Sequence, residues 1–548
     1  MISGAQAAID CLVREDVSHV FGIPGTQNLP LIDALRDTPQ LRFVLTRHEQ
    51  GAAFMAYGFA RASGRPAVVT ATEGPGVTNL ATGIAAAFKA YVPVIGLNGT
   101  QEHWLRERDA SQDIDQVAFF RPITKWAYQI SSATKVQEAI RKAFRVALSD
   151  APGPVHLDAP KDVWLAETEP EPLPPSAYRA TLRPECPAAA LDQAITLLRE
   201  AERPVLVLGS GVIEEDATEA IVEFAEESGI PVAVLQSAVD AFPTTHPLAL
   251  GTLGRNGWSS ANAIAPQSDL VFAIGGRLDL FSTLFTYGVL NPNARLIHQG
   301  LAPRHLGVVF PVALAVTGST RSFVTGLQTR LGRTGQRWSW ADVAGHRAQW
   351  AALRDTQLSE SSDTIVPAFV AHLVRRVLPT DGILVLDAGN AIKHLRVHFD
   401  VHVPRTFLYT DDWGSVGCAL PVGLGARLAQ PHRTVVCAMG DMGMMCNVGE
   451  LETSVREHIP VVCVVLNDQG LGNERAWQRE LYGSRYFGVD YQNPDFGALA
   501  RAFGAFGEQV TRPTQLEEVL RRAVASGRPA VVDVLIDKDT LAPVALRT

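Results

Sequence analysis

No stretch of the chain stays apolar for long enough to cross a bilayer. The N-terminus MISGAQAAIDCLVRED is an amphipathic helix start that lacks the apolar core and cleavage site of a signal peptide. Together these absences point to a cytoplasmic protein with no membrane partner. Basic charge is also short, 48 Lys and Arg against 57 Asp and Glu, for a formal net charge of −9. With no basic face to neutralise phosphates, nucleic acid is excluded as a partner. Cysteine is scarce, with six residues (11, 186, 418, 437, 446 and 463) and no CxxC or other metal-ligand spacing. Those in or beside apolar runs suit buried thiols in a reducing compartment better than disulfides.

What is present is globular in composition, 47% hydrophobic and 19% charged, and 548 residues suffice for about three domains. Strand and helix patterns alternate in the first segment: strand 42–46, helix 47–62, strand 66–71, loop TEGPGVTN (72–79), helix to 90, strand 92–97. Such alternation implies an α/β fold with a parallel sheet covered on both faces. The helix RHEQGAAFMAYGFARA carries one carboxylate, Glu49, in its first turn. Its small residues invite close approach by a neighbouring helix or a flat ligand. Residues 166–187 are proline-rich and acidic and read as a linker, as does 332–362 with its polar run LSESSD. Between them a second α/β unit opens with PVLVLGSG (204–211), where Glu214 stands in place of the third glycine of a dinucleotide turn.

The richest stretch is 434–472. An apolar strand at 435–439 ends in Gly440-Asp441, a helix at 448–457 places Leu451 and Val455 on one face, and a β-branched run at 460–466 ends in Asn467-Asp468-Gln469. Two parallel strands thereby bring Asp441 and Asn467 to the same carboxyl edge, where ligands of open α/β sheets bind. A carboxylate beside an amide oxygen suits Mg²⁺, and the backbone amides of Met442 and Gly443 make an anion nest for phosphates. A strand at 382–389 leads to a loop at Asn390 and Ala391, and 411–429 is glycine-studded, then helical. The polar, aromatic stretch 473–504 looks like a flap over the metal edge. The outer two units read as an internal duplication around a divergent third.

With RHEQGAA, GPGVTN, FFRPITKW, APGPVHLDAPKDV, GSVGCALPVGLGA and WQRELYGSRYFGVDYQNPDF beside the metal stretch, the chain resembles the thiamine diphosphate-dependent 2-oxo acid decarboxylase and carboligase family, above all its acetolactate synthase branch. The resemblance implies three doubly wound parallel-sheet domains: pyrimidine-binding (1–165), central and Rossmann-like (188–331), and diphosphate-binding (363–548). It also implies a homodimer or homotetramer with active sites between subunits. Asp441, Asn467 and the Gln469 carbonyl would ligate Mg²⁺. Gly389, Asn390, Ala391, Gly440, Met442 and Gly443 would hold the diphosphate. Glu49 of a partner subunit would face the aminopyrimidine ring, near Pro75 and Asn79, with Gly414 and the apolar Val416 supporting a bent cofactor. Gln112 and Trp477 would serve catalysis, and Thr26, Gln27, Asn473, Glu474 and Trp477 the substrate pocket. The implied activity is decarboxylation of a pyruvate-like 2-oxo acid and transfer of the acyl anion to a carbonyl acceptor.

The chain departs from the family in places. GDM replaces GDG or GDA, Val416 is smaller than the usual Met, Ile or Leu, and Ser111 rather than Phe precedes Gln112. Asn473 and Glu474 stand at apolar pocket positions, which points to a reactant more polar than pyruvate. IHQGLAP (297–303) lacks the acidic residue of flavin-containing members, which speaks against FAD. A plain decarboxylase or 2-hydroxyacyl lyase is the alternative, although such enzymes carry an early histidine that GIPGTQN (22–28) lacks. An inactive cofactor-binding paralogue is a second alternative, against which Glu49, Asp441 and Asn467 stand intact. LAPVALRT at the C-terminus offers no membrane-binding helix of the kind expected of an oxidase.

Overall fold

A computed structural model describes residues 1–332, 338–359, 364–410 and 413–542, and its main feature is three six-stranded sheets with every strand pair parallel. In space the first sheet runs Arg42–Leu45, His19–Gly22, Ala67–Thr70, Val94–Thr100, Val155–Pro160, Trp126–Gln129. The third runs Phe407–Leu408, Ile383–Leu386, Val435–Gly440, Val462–Asn467, Ala530–Leu535, Phe506–Val510. Numbered in chain order within each sheet, both read 2-1-3-4-6-5, so the resemblance between the outer units extends to topology. The central sheet reads 3-2-1-4-5-6 on the same count, the dinucleotide-fold order. Strands such as Val462–Asn467 are buried along their whole length, which is why they appear in the sequence as unbroken apolar runs.

Both stretches expected to be linkers contain structure. Glu167–Thr168 pairs antiparallel with Ile2–Ser3, and Arg179 closes on Glu15 at 2.7 Å. Val343–Ser359 is a 17-residue helix. Trp350 is buried and stacks on Trp258 at 5.5 Å, Arg347 donates to the carbonyls of Thr244 and Ala249, and Arg354 pairs with Asp400 at 3.0 Å. Its anchors are a few long side chains on a helix whose apolar residues form no continuous stripe, so hydropathy alone does not mark it. Residues 333–337, residues 360–363 of the polar run, Asp411 and Asp412, and 543–548 lie outside the described residues. Among the described residues no helix is long and apolar enough to cross a membrane, and five of the six cysteines are buried and unbridged, with Cys446 exposed.

The small-residue helix Glu49–Ser63 meets a helix, Ala419–Ala429 of the third domain, and the outer domains share one apolar core around this contact. A Cβ at Gly58 would stand 2.0 Å from the Val422 carbonyl oxygen, and one at Gly425 1.9 Å from that of Met55. Only hydrogen fits there. Gly58→Ala is expected to force the helices apart at a cost of about 1–3 kcal/mol, read as a lower melting temperature in calorimetry. An unchanged melting temperature would show that the packing can give.

Candidate active site

In a 2-1-3-4 strand order the connections leave strands 1 and 3 in opposite directions, opening a crevice at their carboxyl ends. In the third sheet this crevice lies between Ile383–Leu386 and Val435–Gly440. A cavity of about 320 Å³ is there, within the range of small-molecule sites. Gly389, Asn390, Ala391, Gly414 and Val416 line it, as do Gly440, Asp441, Met442 and Gly443, with Asn473, Glu474 and Trp477 on the flap side. The strand ends singled out in the sequence thus form one wall of this cavity.

The glycines form a cradle. A Cβ on Gly414 or Gly440 would have nothing within 4 Å, and one on Gly389 nothing nearer than 3.9 Å. Gly389 and Gly414 hold φ of 142° and 61°, where a side chain would strain the backbone. Helix Asn390–His398 starts at this wall without a side-chain cap, leaving its first amides for an anion. The Asn390 side chain is not among those donors, because it exchanges hydrogen bonds with the Ala542 backbone at 2.8 and 2.7 Å. A short helix, Asp441–Cys446, follows the strand directly, and the Met442 amide already donates to Asp441 Oδ1 at 2.6 Å. One amide of the anticipated nest is therefore occupied.

The three expected metal ligands converge on one tripeptide. Tyr491 donates its hydroxyl to Asp441 Oδ1 at 2.9 Å and its amide to the Gln469 carbonyl at 3.1 Å. Asn493 Nδ2 donates to Asp441 Oδ2 at 2.7 Å and to Asn467 Oδ1 at 3.0 Å. A nitrogen donor thus links two oxygens of the kind that would hold a cation. Gln469 holds φ of 53°, a strained setting for a side-chain-bearing residue. Burial raises Asp441, and burial together with Asp441 pushes the neighbouring Asp468 up to about 7. A divalent ion reverses both effects. Among the described residues no group of three or more His, Cys, Asp or Glu side chains could hold a metal, so the fit rests on mixed carboxylate, amide and carbonyl oxygens.

The other expected residues gather at the carboxyl edge of the first sheet and do not line this cavity. Glu49 begins its helix and accepts from Asn79 Nδ2 at 3.0 Å. Glu450, reaching over from the third domain, accepts from the amides of Arg47 and His48 at 3.1 and 3.0 Å and so fixes the approach to Glu49. Gln27 donates to Glu73 Oε1 at 3.1 Å, and Gln101 bridges Glu73 at 2.8 Å to the Ser111 carbonyl at 2.7 Å, beside Gln112. Thr26, Pro75 and Gln112 are exposed.

Sequence reading missed several supports. Buried Glu73, raised by desolvation, ties the Gln27 and Gln112 loops together. Its one signal was an acid in a glycine-rich turn between apolar strands. Buried Asp387, pushed up to about 6 by desolvation, accepts from the amides of Gly417 and Ala419 at 2.8 and 2.9 Å and pins the loop that presents Gly414 and Val416. Glu474, which stands at an apolar position of the family, is exposed, while Asn473 accepts from Lys393 at 3.0 Å.

Residues 2–119 match the family model described as thiamine pyrophosphate enzyme, N-terminal TPP binding domain. Residues 191–327 match its central domain, and 387–534 its C-terminal TPP binding domain. The probable acetolactate synthase large subunit of Methanocaldococcus jannaschii is 35% identical, over 98% of this chain and 92% of the relative. The acetolactate synthase isozyme 3 large subunit of Escherichia coli is 32% identical over 98% and 95%, and the acetolactate synthase large subunit of Corynebacterium glutamicum 33% over 98% and 87%.

Proposed function

The chain belongs to the thiamine pyrophosphate enzyme family together with acetolactate synthase large subunits, and from that premise we propose that it is a Mg²⁺-dependent carboligase that decarboxylates a 2-oxo acid and joins the acyl group to a carbonyl acceptor. The observation that carries the reading is the convergence of Asp441, Asn467 and the Gln469 carbonyl on Tyr491 and Asn493, beside a glycine-lined cavity. Mg²⁺ would take those three oxygens, and the helix start at Asn390 would face the diphosphate. Bound there, the cofactor supplies the carbon nucleophile for the 2-oxo group. Glu49 would face the pyrimidine ring and exchange a proton with it, Val416 would offer an apolar support, and Trp477 would wall the reactants from water.

A second copy completes the site. Glu49, Asn79 and Gln112 lie off the cavity, and both edges carry exposed apolar side chains, Ile114 and Phe119 on one, Trp413, Val416 and Met445 on the other. Product analysis by NMR with thiamine diphosphate, Mg²⁺ and 2-oxo acids tests the activity. Carbon dioxide with a carbon–carbon-joined hydroxy-ketone product is expected, and aldehyde alone would refute ligation in favour of a plain decarboxylase.

A resident flavin is not part of the proposal. The crevice between Pro204–Leu208 and Leu270–Ile274 measures about 70 Å³, is crossed by a 2.7 Å hydrogen bond from the Gly211 amide to the Gly275 carbonyl, and has Glu214 on its wall. A larger cavity of about 610 Å³ adjoins it and shares Tyr91, Pro152, Arg277 and His305; what speaks against flavin is Glu214 and the lack of an acidic residue in 297–303. The purified protein is expected to lack flavin absorbance in the visible, and a stoichiometric flavin spectrum would overturn this reading.

A further inference from the structure

Three cations line the cavity beyond those a diphosphate–metal clamp calls for. Lys393 and Arg396 stand one turn apart on helix Asn390–His398, and Arg255 enters from the central domain. Burial, then Arg255 and Arg396, lowers Lys393 to about 8, and burial followed by Arg396 lowers Arg255. Burial lowers Arg396 as well, with Tyr409 and Asp279 opposing the shift, and Glu474 and Glu480 oppose that of Lys393. Among the described residues no carboxylate stands within ion-pair distance of Lys393 or Arg396. Lys393 donates to Asn473 Oδ1 at 3.0 Å, and Arg396 lies 6.0 Å from the centre of the Tyr409 ring. Asn473 in turn donates to the exposed Glu474 at 3.2 Å. An anion bound beside Lys393 and Arg396 would favour the charged forms that burial disfavours.

We propose that Lys393 and Arg396 form a subsite for a second acidic group, so that the reactant is a dianionic 2-oxo acid whose distal carboxylate, sulfonate or phosphonate sits on these two side chains while Asn473 orients the lysine. The inference rests on the carboligase reading of the same cavity and narrows its substrate class. It also accounts for a polar residue at 473, whose Oδ1 accepts from Lys393 at the cavity wall. A planar guanidinium beside an ammonium is well suited to a terminal oxyanion.

The first test is independent of turnover. With thiamine diphosphate and Mg²⁺ bound, glutarate is expected to raise the melting temperature where butyrate at the same concentration does not, and Lys393→Met and Arg396→Met are each expected to remove that rise. Equal effects of the two acids, or a rise that survives both substitutions, would overturn the subsite. Cofactor Kd is expected to stay within about threefold in Lys393→Met, and a parallel loss of about tenfold or more would reassign the lysine to the diphosphate. The second test is kinetic. 2-Oxoglutarate or 3-phosphonopyruvate is expected to exceed pyruvate in kcat/KM by about tenfold or more, with the ratio collapsing in Lys393→Met. Preference for pyruvate would overturn the proposal. If glutarate stabilises the native protein through Lys393 yet no 2-oxo acid is consumed, the subsite stands and the carboligase reading falls.

Discussion

Replacing Glu49 with Gln is expected to lower turnover by about 10²- to 10⁴-fold, the range of a positioned proton-transfer group. The substitution keeps volume and an acceptor oxygen, so the hydrogen bond from Asn79 Nδ2, now 3.0 Å, has a partner in the variant. The helix that carries Glu49 is held independently, by Glu450 on the preceding amides and by the glycine contacts at Gly58 and Gly425. Fold and cofactor affinity are therefore expected to persist, with Kd within about threefold, so that the loss falls on kcat. Calorimetric titration of the cofactor and steady-state rates on one preparation measure both quantities. A variant with near-native turnover would remove Glu49 from the chemistry, and one that loses cofactor and rate together would make it a binding residue.

The parts of this site that were legible in the sequence are local. Asp441 and Asn467 sit at the ends of short apolar strands, and a strand's end fixes where its next side chain goes. Glu49 was legible for the same reason, as the single carboxylate opening a helix of small residues. The partners that set their geometry were not legible, because they come from far along the chain. Tyr491 and Asn493 reach Asp441 across about fifty residues, within a stretch whose polar and aromatic composition marks only a surface segment. Glu450 meets the amide of His48 across 402 residues. Nothing in its own neighbourhood, ELETSVR, separates it from a solvated helix acid.

Fold reading divides along similar lines. Alternating patterns sufficed for three parallel α/β units, since a strand buried on both faces must be apolar throughout. The shared 2-1-3-4-6-5 order of the outer sheets is a property of crossovers, which no window of sequence contains. Helix Val343–Ser359 reads as linker because its stability comes from Trp350, Arg347 and Arg354 reaching specific distant partners rather than from an apolar stripe. The small-residue face of Glu49–Ser63 announced close approach without naming the partner, and the structure assigns it to a helix of the same chain.

Asp441→Ala is expected to weaken Mg²⁺-dependent cofactor retention by about 100-fold or more, since removing a ligand costs at least what removing its outer partners does. Tyr491 and Asn493 would also lose their acceptors, so Asn467→Ala, which leaves the carboxylate in place, is the companion variant and is expected to weaken retention in the same direction. Retention at native level in both would dismantle the clamp. The pair Asp441→Ala and Glu49→Gln also decides where the site lies. If each site draws Glu49 from one copy and Asp441 from the other, either variant alone is inactive at both sites of its homodimer. A hybrid of the two has one site with both lesions and one with neither. Random pairing of equal amounts makes half the dimers hybrid, so activity is expected to recover to about a quarter of native. Co-expression with two different affinity tags, followed by sequential purification of the hybrid, raises the expectation to about half. A hybrid as inactive as its parents would place Glu49 and Asp441 in one subunit's site, against the geometry in which the residues around Glu49 stay off the cavity that Asp441 lines.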